Sequence, residues 1–304
     1  MRRRNLYFIL FVAVPAASCG PLLGSWAELS LHNNSYSHLL LIPLITGALV
    51  YLERRRIFSE VRYSLGAGTV ALLAAGAAGL LVSSESAFSL DPADRLTLTM
   101  LSLVLIWIAG FIVCYGFCAF RTAIFPLLFL LLMVPFPPFL LNKIIFALRK
   151  GSAECTAAIF RLTGMPYFMN GFEFSLPGLN IEIARECSGI RSSLALFIVS
   201  LLAGHVFLRS AWRKASLVLF IIPLVVVKNA LRIATISLLS VYVDRSFIHG
   251  DLHRYSGIPF SIVSLALLIP FLWWLQRSEN REAQPPAAPP ALPGTALAVT
   301  QVEP

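Results

Sequence analysis

Long apolar runs dominate this chain, and its polar residues arrive in short clusters between them. A helix needs about 20 mostly apolar residues to cross the hydrocarbon core of a bilayer. Eight stretches meet or approach that length, near 6–24, 38–52, 64–83, 97–118, 122–140, 189–208, 215–241 and 257–276. The second is short, with Tyr51 placed for an interface. The fifth carries Pro135, Pro137 and Pro138 at its end, so its helix is expected to stop near Val134. The first has the look of a signal peptide, with Arg2, Arg3 and Arg4 before the apolar run and Ala16-Ala17-Ser18 behind it. Because further spans follow closely, it reads as an uncleaved signal-anchor.

The longest interval between spans is 141–188. Its first part sets Ile144, Leu148, Cys155, Ile159 and Leu162 on one helical face, with Lys143, Arg149, Lys150 and Glu154 off it, which predicts a helix in the interface plane. Alternation then takes over, from Asn170 to Leu176 and from Leu179 to Ala184, on either side of Pro177-Gly178. That pattern predicts a small hairpin. The fold class is therefore an all-α integral membrane protein of about eight spans, with an interfacial helix and a hairpin before the sixth. Residues 1–282 form the membrane domain. Residues 283–304, rich in proline and alanine, are expected to be a disordered cytoplasmic tail.

Composition agrees. Charged residues make up 13% of the 304, about half the usual share of a soluble protein, which excludes an ordinary cytosolic enzyme. The net charge of +9 then points to a membrane surface and away from nucleic acid. With the N-terminus inside and eight alternating spans, the inner segments hold thirteen basic and five acidic residues, a balance of +8, against +1 elsewhere. Lysine and arginine accumulate in cytoplasmic loops, so both termini are expected inside. The start of the sixth span, the end of the seventh and the connection to the eighth then share the outer face.

Three polar clusters fall there. They are Glu186-Cys187-Ser188-Gly189-Ile190-Arg191, Lys228-Asn229-Ala230-Leu231-Arg232 and His249-Gly-Asp-Leu-His253. Ionisable residues inside spans are expensive and mark function. A cysteine at a helix N-terminus is favoured as the thiolate, the attacking form. A histidine can take the thiol proton and later protonate a leaving amine. An arginine stays charged and can hold an oxyanion or a carboxylate. Each residue also has a bland reading. Cys187 could pack, Arg232 could snorkel and His253 could simply be solvated. Cys19, Cys114, Cys118 and Cys155 read as packing residues, and His205 as structural. His38 and His249 are rival bases by position. No cofactor and no metal site is expected.

At these residues the chain resembles the exosortase/archaeosortase family. The matching segments are Cys187-Ser188-Gly189-Ile190-Arg191, Asn229-Ala230-Leu231-Arg232 and His253-Arg254-Tyr255-Ser256-Gly257. Tyr36-Ser37-His38, the proline-rich end of the fifth span and the Leu-Pro-Gly turn also look like family features. The resemblance covers roughly residues 30–276. It implies a cysteine peptidase or transpeptidase of a bacterial inner membrane, working at the periplasmic face. Cys187, Arg232 and His253 would be catalytic, with Arg191, Lys228, Asn229 and Glu186 toward the substrate. The implied partners are exported proteins with a C-terminal sorting tail: a short motif such as Pro-Glu-Pro, one membrane helix and a basic cluster. The acceptor, water or an envelope molecule, is left open. The alternative is a transporter of an anionic or lipid-linked substrate, with Lys228 and Arg232 lining its path.

Overall fold

The computed structural model describes residues 2–33, 35–84, 90–244, 247 and 257–282. In chain order its helices are α1 (Arg2–Ser18), α2 (Gly20–His32), α3 (Leu41–Leu52), α4 (Arg54–Ile57), α5 (Ala67–Ser84), α6 (Pro92–Tyr115), α7 (Phe117–Thr122) and α8 (Ile124–Phe129). A 3-10 turn at Leu130–Met133 extends α8, and α9 (Pro138–Thr163) follows. Strands β1 (Phe168–Asn170), β2 (Glu173–Leu176) and β3 (Leu179–Glu182) come next, then a 3-10 turn at Arg185–Ser188. The chain closes with α10 (Ile190–Phe207), α11 (Ala211–Tyr242) and α12 (Gly257–Glu282).

Against the eight expected spans, the described residues supply five to seven candidates by length and composition. Among the described residues α5, α6, α10, α11 and α12 are long and apolar enough to cross a membrane. Two bent pairs bring the number to seven if each is one span, α1 with α2 at 85° and the α8 segment with α9 at 91°. The run at 38–52 yields only the 12-residue α3, about 18 Å long at 1.5 Å per residue. The stop near Val134 is where the sequence placed it. The 3-10 turn ends at Met133, and Val134 is extended. Prolines then reopen the chain as α9, where a missing N–H costs nothing in the first turn.

Helix α9 spans 26 residues, and its most buried residues lie to one side of the apolar stripe. Ile145, Ser152, Ala153, Thr156, Ala157 and Phe160 face inward, while Leu162 is 87% exposed. Helices in lipid gain little by hiding leucine, which is as apolar as its surroundings. They pack through small residues that let backbones approach. Gly151 shows this, since a Cβ there would lie 3.3 Å from the Val226 methyls of α11.

The hairpin is present with an added strand, giving an antiparallel sheet in the order β1-β2-β3. Pro177-Gly178 makes the β2–β3 turn and pairs Leu176 with Leu179. Asn170 belongs to β1, because Gly171 (φ 61°) turns the chain before β2 begins. Phe174 of β2 is fully buried and meets the Phe160 ring of α9 edge-on, 5.6 Å between centroids. Cys114 and Cys118, one helical turn apart in sequence, do not share a helix. Gly116 (φ 92°) ends α6 between them, and a Cβ there would lie 2.3 Å from the Arg62 carbonyl oxygen.

Side-chain contacts fix which helix ends lie together. Glu53 after α3 meets His205 at the end of α10, Oε1 to Nε2 2.6 Å. Arg4 of α1 donates to the Val61 carbonyl (2.9 Å), and the Arg62 N–H donates to the Tyr115 carbonyl at the end of α6. Between α10 and α11, the N–H groups of Arg209 and Ser210 donate to Glu279 of α12 at 2.9 and 2.6 Å. Arg213, 3% exposed, adds ion pairs to Glu279 and Glu282. This end also carries the arginines at 54–56. Cys187, the start of α10 and the last turns of α11 lie at the other, the cysteine end.

Candidate active site

Helices α10 and α11 form an antiparallel hairpin, and its arithmetic sets the site. Near the foot, a Cβ on Gly204 would lie 3.8 Å from Lys214. Fifteen residues up each helix, a Cβ on Gly189 would lie 3.5 Å from Cγ and Oδ1 of Asn229. Both partners rise by roughly 22 Å over those residues, so the two segments expected at one face stand level.

Gly189 makes the approach possible. It caps α10 with φ 78°, the left-handed region that side chains disfavour, and swings the chain from the 3-10 turn Arg185–Ser188 into the helix. Its carbonyl accepts from the Ser192 and Ser193 hydroxyls (2.9 and 2.8 Å) and from the Ser193 N–H (2.9 Å). Lys228 donates to the Ser192 hydroxyl, and Asn229 Nδ2 donates to the Ser152 hydroxyl of α9 at 3.1 Å. Ser152, Ser188, Lys228 and Asn229 are all buried, and the Ser188 hydroxyl has no partner among the described residues. Three helices thus meet in a polar knot directly beneath the turn that bears Cys187. Lys228 is held by a hydroxyl, with no ion pair among the described residues.

Two side chains of α9 anchor the strand that leads into the cysteine turn. Arg149 donates from Nε to the Ile183 carbonyl (2.6 Å), pairs with Glu182 at 3.3 Å and lies 3.9 Å over the Phe172 ring. Two turns nearer the start of α9, Asn142 accepts from Arg185 at 2.5 Å. Sequence reading passed over Asn142, Ser152 and Ser192, and took Arg149 only as a residue off the apolar face. The small polar residues Ser152 and Thr156, four apart inside an apolar helix, were the signal available for one of them.

The predicted site residues divide as follows. The backbones of Glu186 and Cys187 lie in the 3-10 turn, immediately before the free N–H groups that open α10. Arg191 is exposed in the first turn of α10. Lys228 and Asn229 join the knot. Arg232 is half-buried three residues past Asn229, toward the cysteine end. His249 and His253 lie outside the described residues, between Tyr242 and Gly257, which both belong to the cysteine end. His38 is also at that end, in the turns before α3, and burial lowers its pKa below the usual histidine value. His205 stacks on Phe125 at the opposite end, 3.8 Å between centroids and 3° from parallel, which suits a structural role. Among the described residues no three His, Cys, Asp or Glu side chains gather as metal ligands. Cys19, Cys114, Cys118 and Cys155 are free thiols.

Apolar spans, a buried polar knot and a cysteine turn at one end define a multi-pass membrane protein with a candidate site at that end. The transmembrane exosortase family model matches residues 26–270, and the chain belongs to that family. Its class is that of membrane protein-sorting enzymes of the cysteine transpeptidase type. No curated protein and no solved structure matches the chain.

Proposed function

We propose that this exosortase cleaves the C-terminal sorting tail of exported proteins, with Cys187 as nucleophile. The observation that carries the reading is the contact between Gly189 and Asn229, which sets the Cys187 turn level with the Lys228–Arg232 stretch. In the proposed reaction His253 takes the thiol proton and the Cys187 sulfur attacks the scissile carbonyl carbon. Arg232 stabilises the tetrahedral oxyanion. The C–N bond breaks, the leaving amine takes the proton from His253, and a thioester remains on Cys187. Water or an acceptor nucleophile then attacks the thioester, gives up its proton through His253 and restores the thiol. Glu186 and Arg191 flank the approach of the substrate, with Lys228 and Asn229 buried beneath it as its floor.

Sidedness belongs to the same proposal. The basic end would face the cytoplasm and the cysteine end the periplasm of a bacterial inner membrane, because arginine gathers at the former. The sorting tail would be of the motif, helix and basic-cluster kind, resembling Pro-Glu-Pro tails. The test is a tail-bearing reporter expressed with wild-type protein or with Cys187→Ala at matched abundance. Wild type should shorten the reporter and the alanine variant should leave it uncut. Shortening by the alanine variant would remove Cys187 from the mechanism.

A further inference from the structure

Strand β3 is an outer strand of its sheet, and the chain leaves it directly for the cysteine turn. The register shows which of its backbone groups are used. The Ile183 N–H donates to the Phe172 carbonyl (2.9 Å), and outward from there Phe174 stands opposite Ile181 and Leu176 opposite Leu179. Antiparallel strands alternate bonded and non-bonded pairs, so these three pairs are the bonded ones. Asn180 and Glu182, opposite Ser175 and Glu173, turn their backbone groups away from β2. The Glu182 carbonyl accepts from the Ala184 N–H (3.0 Å). The Asn180 N–H, the Asn180 carbonyl and the Glu182 N–H have no partner among the described residues. Both residues are exposed.

A free edge is a template for another strand, and proteins close such edges with lysine, proline or a bulge. Leu179-Asn180-Ile181-Glu182 contains no lysine and no proline, and its pairing with β2 is unbroken. Leu179 and Ile181 pack on the apolar cluster of Phe160 and Phe174, which seats the sheet against α9. The ladder to β2 holds the edge, whereas Arg149 fixes the Ile183 carbonyl beyond it.

We infer that the edge of β3 binds the extended segment of the substrate as a fourth strand, through main-chain hydrogen bonds to Asn180 and Glu182. The inference rests on the reading that exported tails are the substrate. The Asn180 and Glu182 N–H groups donate to two substrate carbonyls, and one substrate N–H donates to the Asn180 carbonyl. Strand addition draws its affinity from the backbone, so it is indifferent to which side chains the substrate carries at those positions. Position favours this edge. Five residues separate Glu182 from Cys187, at most about 17 Å of chain, so a substrate paired at Asn180 reaches the cysteine within about five of its own residues. The other edge, β1, joins α9 to β2 and leads to no reactive group. A second copy of this chain could also supply a strand. An edge of three open groups buries far less than the roughly 1,200 Å² of a stable interface, whereas a substrate gains further contacts at the cysteine.

The experiment uses the full-length protein in nanodiscs and a series of tail peptides, each with one backbone N–H replaced by N-methyl away from the scissile bond. Affinity is read by competition against a labelled parent peptide. Because β3 offers one acceptor, methylation at one position should weaken binding roughly tenfold, and methylation at the residues on either side should have little effect. Asn180→Pro removes the outward N–H and spares the ladder to β2, as proline can on an outer strand, and should weaken binding by a similar factor. Asn180→Ala keeps the N–H and should bind roughly tenfold more tightly than Asn180→Pro. Should Asn180→Pro fail to insert, the peptide series on wild type decides alone. Uniform tolerance of methylation by a wild type that cleaves these peptides would overturn strand addition and leave the proposed function standing. Cleavage of none of them, the parent included, would overturn the function and strand addition with it. A wild-type dimer that Asn180→Pro converts to monomer, with no position-dependent effect of methylation, would give the edge to a second copy and overturn the substrate reading.

Discussion

Gly189 stands against Asn229 so closely that an added Cβ would lie 3.5 Å from the amide. That spacing is ordinary van der Waals contact, so the demand for glycine comes from its φ of 78°. An alanine held in the left-handed region costs about 1–2 kcal/mol. Gly189→Ala should therefore lower unfolding stability by about that much and displace the Cys187 turn from α11. Processing of a tail-bearing reporter should fall more steeply than thermal stability in detergent. Unchanged processing would mean that the turn tolerates a different entry into α10.

Arg149 fastens the strand that delivers Cys187. Arg149→Met keeps the length and apolar stem but loses the bonds to Ile183 and Glu182. Hydrogen bonds to charged groups contribute about 1.5–3 kcal/mol. The loss should appear chiefly in kcat, because the nucleophile's turn shifts while the binding surface persists. Arg149→Lys should restore only part, since an ammonium cannot bond Ile183 through a planar fork and cover the Phe172 ring at once. A change confined to KM would place Arg149 in substrate binding.

Arg232 separates charge from geometry. Were it only snorkelling, Arg232→Lys would be nearly neutral. As the oxyanion's donor it should lose about 2.7–4 kcal/mol of transition-state stabilisation, a rate loss of roughly 10² to 10³. Steady-state cleavage of a tail peptide at matched protein abundance reads this directly. Near-normal cleavage would show that only a positive charge is required there.

His38 gives a pH signature. Burial lowers its folded pKa below the usual value near 6.5. Between that lowered value and the unfolded pKa, the unfolded chain binds the proton more readily. Stability should therefore be full above the unfolded pKa, decline as pH falls through this window, and level off below the folded pKa. His38→Gln should flatten that segment of a melting-temperature profile against pH. If the mutant keeps the same slope, another group is responsible.

Much of this site could be read from the chain. Three prolines marked the stop at Val134, and Pro177-Gly178 marked the β2–β3 turn. The separation of Gly189 from Asn229 fits two antiparallel helices on a short connection, so the pairing of the two motifs was implicit in their spacing. Other features depended on lipid and on tertiary contacts. The apolar stripe of α9 did not show which of its residues meet a neighbouring helix, because in a bilayer leucine can stay outside while Ser152 and Ala153 admit one. The 85° bend at Cys19 is followed by Gly20-Pro21, a turn signal that reading 6–24 as one span passed over. Asn142 and Arg149 act through partners more than 30 residues away, which no local pattern encodes.

The central claim is that the Cys187 sulfur forms the bond to the substrate, and an acid-quenched intermediate tests it most directly. Purified full-length protein would be mixed with a tail peptide, quenched in acid during turnover, digested and weighed by mass spectrometry. The account predicts an added acyl mass on the fragment containing Cys187, removed by hydroxylamine as a thioester is and missing in Cys187→Ala. Release of cleaved tail with the acyl group on another residue, or continued release by Cys187→Ala, would contradict it.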